Sequence, residues 1–311
     1  MITTFPYTGS GPYCYANSFA MMFGKNAPST AVIEFATSSP FGMQLVGGAL
    51  PFFDPYGWDP EAGFDDALMA LGWISTVTNG DNAVDSINRL KTALTNGPVW
   101  IGPVEMGYLR HQPGKTGPIG ADHYIVVLDI NDDTVLIHDP QGYPYVSLPL
   151  LDFLNAWQAE TISYGTSFTM RTDFIRVEEK SDVDIIKASI PAAIRWLSMN
   201  SEYNMPENSF GNGEAAKQLA VLIENDCNQD LLDHLIHFAV RVGTRRVADA
   251  ATCLSLIGYN KASMIMTQQA HLIGSLQYPL VTGDYVKAAN ALRELAPTYD
   301  ELLKTLKSET K

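Results

Sequence analysis

Three side chains in this sequence have types and spacing that could do covalent chemistry: Cys14, His123 and Asp139. A thiol, an imidazole and a carboxylate are the parts of a cysteine-nucleophile acyl-transfer site, in which the histidine takes the thiol proton and the acid orients the histidine. Cys14 follows Gly11-Pro12-Tyr13 and opens a stripe of Ala16, Phe19, Ala20 and Phe23 at helical spacing, which Gly24 can end. At about 100° per residue, Cys14 points about 160° away from Ala16, the centre of that stripe, and so away from the core side of the helix. The first turn of a helix has unpaired N–H groups and the positive end of the dipole, which favour thiolate and can receive an oxyanion. A lone cysteine is more often a small buried hydrophobe, and Cys227 and Cys253, set in helical patterns, take that reading.

The downstream pair sets Cys14 apart. Residues 123–130 and 134–138 alternate as strands around a turn at Asn131-Asp132-Asp133, so residue 123 comes opposite the neighbourhood of residue 139. Both numbers are odd, so His123 and Asp139 can share a face. His138 falls on the other face, and Asp122 has the wrong parity and is a weaker orienting acid. His111 lies in a Gly/Pro-rich loop, and His234, His237 and His271 belong to a helical region. Tyr15 and Asn17, beside the nucleophile, are the expected substrate-binding neighbours, with Thr8 and Ser10 also in reach of an oxyanion. Trp58, in the aromatic run 51–58, would add an apolar wall for an acyl chain.

The elements that must hold these groups divide near residue 180. Residues 1–180 mix a first helix, a helix at 83–94 and strands at 98–104, 123–130, 134–138 and about 167–177, with irregular loops over 38–64. This segregation of helix and antiparallel sheet predicts an α+β domain. Residues 181–311 read as an all-α domain, with helices near 183–199, 229–241, 245–257, 261–277 and 284–295. Ala216, Leu219, Ala220 and Ile223 mark one further helix; Pro297 is expected to begin the last, which carries Tyr299, Leu302, Leu303 and Leu306. Arg245-Arg246 reads as a solvated helix face rather than a grip for a carrier's phosphate.

Net charge is −14 over 311 residues, which argues against nucleic acid or an anionic membrane as partner. Residues 1–177 hold 7 Lys and Arg against 17 Asp and Glu, and residues 178–311 hold 13 against 17. The more acidic part carries the candidate site, which modestly favours a cationic substrate such as an amine. Three widely spaced cysteines form neither a disulfide framework nor a zinc pattern, and histidine and carboxylate spacing gives no metal site. No signal peptide or membrane span is apparent, so a cytoplasmic protein without a bound cofactor is expected, with homo-oligomerisation left open.

Three segments carry a resemblance. They are Pro98-Val99-Trp100-Ile101-Gly102-Pro103-Val104-Glu105 followed by Tyr108, then Ala121-Asp122-His123-Tyr124-Ile125-Val126-Val127-Leu128, then Val135-Leu136-Ile137-His138-Asp139-Pro140. Together they resemble the second half of a papain-like cysteine domain, as in bacteriocin-leader peptidases and the N-terminal domain of the butirosin-biosynthesis acyltransferase (BtrH-like) family. The latter is the more similar. It shares the early cysteine at a helix start, the Gly/aromatic loop, a segment like Asp152-Phe153-Leu154-Asn155-Ala156-Trp157 and a helical C-terminal extension. The resemblance implies a papain-like fold, a Cys14–His123–Asp139 triad and passage of an acyl group from a thioester to an amine through an acyl-enzyme. An acyltransferase or acyl hydrolase is therefore expected, with a small-molecule substrate, a coenzyme A or acyl-carrier-protein thioester as donor and an amine or water as acceptor. Peptidase relatives place a glutamine shortly before the cysteine; residues 7–13 have none, which weakens the peptidase or amidase alternative. A non-catalytic binding protein on the same scaffold is the rival of a different class, and Glu105, where the family strand ends in Asp, is given no role.

Overall fold

The computed structural model describes residues 13–80, 82–200 and 204–310. The order begins α1 (Cys14–Phe23), α2 (Thr30–Ala36), β1 (Gln44–Val46), β2 (Leu50–Phe52), α3 (Pro60–Leu71), β3 (Trp73–Thr78), α4 (Ala83–Leu94). The middle of the chain forms β4 (Val99–Glu105), β5 (Asp122–Ile130), β6 (Thr134–Asp139), β7 (Tyr143–Pro149), α5 (Leu150–Trp157), β8 (Met170–Arg176). Helices dominate the rest: α6 (Asp182–Leu197), a short β9 (Phe210–Gly211), α7 (Asn212–Asp226), α8 (Gln229–His234), α9 (Val240–Leu256), α10 (Asn260–Ser275), α11 (Gln277–Thr282) and α12 (Tyr285–Glu309). The protein is α+β, with antiparallel sheets and a helical C-terminal region.

Contacts group the chain into two units. One holds Tyr13–Thr30 and Gly72–Glu179; the other holds Ala31–Leu71 and the chain from Lys180 onward. A change at residue 180 was expected, but residues 31–71, read with the first domain, group with the helices instead. The loop expected over 38–64 contains β1 and β2, which form a three-stranded antiparallel sheet with β9, and the start of α3.

The sheet of the Tyr13–Thr30/Gly72–Glu179 unit has six strands in the order β3-β8-β4-β5-β6-β7, every pair antiparallel. Central β4 is buried along its whole length. One face of the sheet gathers Val99, Ile101, Ile125, Val127, Val135 and Ile137 with Leu90 of α4 and Phe153, Ala156 and Trp157 of α5. The opposite residues of the same strands, Trp100 and Tyr124, meet α1: Phe19 stacks on Trp100 at 4.9 Å, and Trp100 stacks on Tyr124 at 4.9 Å. The period-2 alternation of the sequence thus supplies both faces. Asn82 begins α4 by accepting the N–H groups of Val84 and Asp85, both at 3.0 Å. The β5–β6 turn is tied by Asn131, whose Oδ1 accepts the N–H groups of Asp133 and Thr134.

In the other unit, two expected helix boundaries are absent. The chain stays helical from Gln229 through a π-helical turn at Leu235–Ala239 into α9, with no break near Gly243. A Cβ on Gly243 would lie 2.5 Å from Phe53 Cβ, so the glycine serves a close approach between elements rather than a stop. Pro297 lies inside the 25-residue α12 instead of starting a helix.

Candidate active site

Strand β5 delivers His123 at its second residue and β6 delivers Asp139 at its last. Val126 pairs with His138 and Val127 with Ile137, a register that sets Asp139 diagonally across from His123. The diagonal closes: His123 Nε2 lies 2.8 Å from Asp139 Oδ1. His123 is fully buried and Asp139 is 3% exposed. A carboxylate beside Nε2 makes that nitrogen the donor, so the lone pair of the neutral ring is on Nδ1. His123 Nδ1 is buried and has no hydrogen-bond partner among the described residues.

Cys14 is the first residue of α1 and half-buried. The helix crosses the strands, which its contacts trace in order. Tyr15 sets its ring edge-on to Tyr124 of β5 at 6.0 Å, and Ser18 Oγ donates to the Tyr124 carbonyl at 3.1 Å. Next, Phe19 stacks on Trp100 of β4, and Phe23 then stacks on Trp73 of β3 at 4.5 Å. The N-terminal turn that carries Cys14 therefore lies over β5, where Tyr124 is the residue after His123. Asn17 is half-buried, with its N–H on the Tyr13 carbonyl. Thr8 and Ser10 lie outside the described residues.

Asp139 is held by more groups than the sequence suggested. Oδ1 also accepts the Gln141 N–H at 2.8 Å, while Oδ2 meets His111 Nε2 at 2.8 Å and Gln112 Nε2 at 2.7 Å. Burial pushes the Asp139 carboxyl up, but bonds from His111 and His123, the positive field of His123 and the Gln141 N–H outweigh it. The group sits well below the usual carboxylate range.

His111 and Gln112 reach this site because Glu105 organises the loop after β4. The buried Glu105 carboxylate accepts the N–H groups of Gly107, Ile119 and Gly120 at 2.9, 3.0 and 2.9 Å, and the Thr161 hydroxyl. Burial raises its pKa, yet the Thr161 and backbone donors leave it lowered. Asp122, the weaker candidate for orienting His123, instead acts on the Tyr164 hydroxyl, whose pKa is raised by burial first and by the Asp122 charge after it; that hydroxyl meets the Tyr124 hydroxyl at 3.0 Å. His138 accepts the Tyr145 N–H at Nδ1, on the face opposite Asp139.

Trp58 belongs to the unit that contains Arg246, where it is 5% exposed and its indole N–H donates to the Thr37 carbonyl at 3.0 Å. Those facts describe a packing residue, with little ring left for a ligand wall. Arg246 is neither a solvated helix position nor a phosphate grip: it is 7% exposed and binds Glu34 at 2.6 Å and Asp54 at 3.1 Å. Among the described residues no group of three His, Cys, Asp or Glu side chains is arranged to hold a metal ion, and no helix is long and apolar enough to cross a membrane.

The protein is thus α+β, with a carboxylate between two imidazoles at the end of a buried sheet and a cysteine at the start of the helix that crosses it. Residues 206–307 match the family model described as YobF C-terminal domain. The chain is also similar to "Uncharacterized protein YobF" of Bacillus subtilis (strain 168), with 26% identity over 307 residues, covering 96% of this chain and 98% of that protein.

Proposed function

We propose that this protein is a cysteine-nucleophile acyltransferase that works through an acyl-enzyme on a small-molecule acyl donor, with an amine or water as acceptor. The observation that carries the reading is the His123–Asp139 pair, which directs the basic Nδ1 of a buried imidazole away from its carboxylate. In the first half-reaction Cys14 Sγ attacks the donor carbonyl while His123 Nδ1 takes the thiol proton. Collapse of the tetrahedral adduct breaks the bond to the leaving thiol, which receives that proton and departs. In the second, His123 deprotonates the incoming amine or water, its attack displaces Cys14, and the proton returns to Sγ. Asp139 keeps Nε2 as donor throughout and supports the imidazolium.

A thioester of coenzyme A or of an acyl carrier protein suits this chemistry as donor, and a cytoplasmic setting suits its reduced thiol. The fold and triad carried by the butirosin-type resemblance point to the same reaction, and the absence of a glutamine in residues 7–13 favours transfer over peptide cleavage. The test is intact-mass measurement after exposure to iodoacetamide and to simple acyl thioesters, comparing wild type with Cys14→Ala and Cys14→Ser. Wild type should alkylate at Cys14 faster than an ordinary thiol and carry one acyl group that an amine removes. Alkylation at the ordinary rate, with no acyl adduct from any donor, would sink the reading.

A further inference from the structure

We infer that His111 is a positioning residue of this site, coupled to His123 through the carboxylate they share. The inference rests on the cysteine-nucleophile reading above. Asp139 offers two oxygens, and each is bonded to one imidazole Nε2 at 2.8 Å. Gln112 and the Gln141 N–H complete the set, so the carboxylate has no freedom to rotate away from His123. If Oδ2 only needed satisfying, the Gln112 amide would do it. The His111 side chain is instead 8% exposed, and its Nδ1 is buried without a hydrogen-bond partner among the described residues. A buried imidazole with one unpartnered nitrogen carries a desolvation cost, so its placement points to the bond that the other nitrogen makes.

The charge consequence follows from the shared anion. Neutral His111 donates to Asp139 and leaves its negative charge to support His123 as it takes the thiol proton. Both rings draw on the same anion, so a change at one is felt at the other through one carboxylate. The groups around His111 are Asp139 on β6, Tyr143 on β7 with its ring 5.3 Å away, and His123 on β5 beyond Asp139. From α5, Asp152 pairs at 3.7 Å with Arg110, the residue before His111. Glu105 fixes the loop that presents His111.

The experiment is the pH dependence of Cys14 alkylation by iodoacetamide, followed by intact mass, in wild type, His111→Ala and His111→Gln, with melting temperatures recorded for each. His111→Ala should slow alkylation about tenfold near neutral pH, the loss of one hydrogen bond to a charged group. His111→Gln keeps an amide donor without an imidazole, so it should recover most of the rate while the acid side of its pH profile differs from that of wild type. A His111→Ala rate within about twofold of wild type, a difference too small for such a bond, overturns the inference. So does a His111→Gln profile that superimposes on wild type, and that profile decides alone if His111→Ala does not fold. A wild-type Cys14 no more reactive than an ordinary thiol sinks this inference together with the proposed function, whereas a reactive wild type with insensitive variants sinks this inference alone.

Discussion

Each unit of this protein buries a polar centre built on carboxylates, and the two are finished differently. Around Arg246 the guanidinium binds Glu34 and Asp54, Gln44 donates to Asp54 at 2.7 Å, and Ser39 donates to Glu34 at 2.9 Å. That centre locks α9 to α2 and to the loop after β2 by pairing opposite charges. Around Asp139 the donors are two imidazoles, an amide and a backbone N–H, and each imidazole keeps a buried nitrogen with no partner among the described residues. A fixed cation cannot move a proton, whereas an imidazole can. One device, a desolvated carboxylate ringed by donors, thus makes a strut in one place and a candidate proton-transfer site in another.

The proton-handling centre should be the more sensitive of the two. Asp139→Asn places an amide beside His123 Nε2; an amide N–H there makes Nε2 an acceptor and moves the ring proton to Nδ1. The base that should face the thiol is then gone, and the alkylation and acyl-transfer rates of Cys14 should fall by about three orders of magnitude. The same substitution has a pH signature. The Asp139 carboxyl is depressed below its ordinary value of 3.8, so the stability it contributes is complete above about pH 4 and lost as pH falls through the folded value. Acid unfolding below about pH 4 should therefore be shallower for Asp139→Asn than for wild type in circular dichroism. An equal slope would mean that the donors around Asp139 do not stabilise its charge.

Arg246→Ala should have the opposite profile. It leaves Glu34 and Asp54 buried without their cation and should lower unfolding free energy by about 3–5 kcal/mol in denaturant titration. No side chain of this centre is shared with the other, so Cys14 alkylation below the new melting temperature should stay within about twofold of wild type. Loss of reactivity in step with loss of stability would erase the distinction drawn between the two centres.

How much of this was legible in the sequence also differs between the two. The β5–β6 hairpin was, because Asn131-Asp132-Asp133 is a turn with its own side-chain bonds and strand parity then places His123 and Asp139. His111 was not: its role depends on a loop whose path is set by three backbone N–H groups meeting Glu105, and such tertiary bonds leave no period in the chain. The Arg246 centre was hidden for a similar reason, since an Arg-Arg pair on a helix looks solvated until Glu34 and Asp54 are brought to it. The expected gap between helices at 229–241 and 245–257 and the expected start at Pro297 are both absent because packing overrides local propensity, with Phe53 filling the space at Gly243. In character the Glu105 clasp falls between these two centres. Glu105→Gln keeps the side chain's length but offers one oxygen in place of a carboxylate to four donors, and should lower stability by about 1.5–3 kcal/mol. Because the loop presents His111, alkylation should also slow, by less than in Asp139→Asn; a stability loss without any change in rate would make the clasp a strut alone.

The smallest expected effect is a control placed in the same unit as the candidate site. Asn82 caps α4 through the N–H groups of Val84 and Asp85, and its own amide donates to Asp85 at 2.7 Å. Helix α4 contributes Leu90 to the sheet face lined by Val99, Ile101, Ile125 and Val127, and none of these bonds involves Asp139, His111 or Cys14. Asn82→Ala should therefore lower stability by about 1 kcal/mol, the ordinary value of a helix cap, with no change in the pH profile of Cys14 alkylation. Were this small, remote loss of stability to slow the thiol as much as Glu105→Gln does, reactivity would be tracking the rigidity of the whole unit. Reactivity that stays constant under Asn82→Ala but falls under Glu105→Gln and His111→Ala would instead trace the dependence to the carboxylate and the loop that surrounds it.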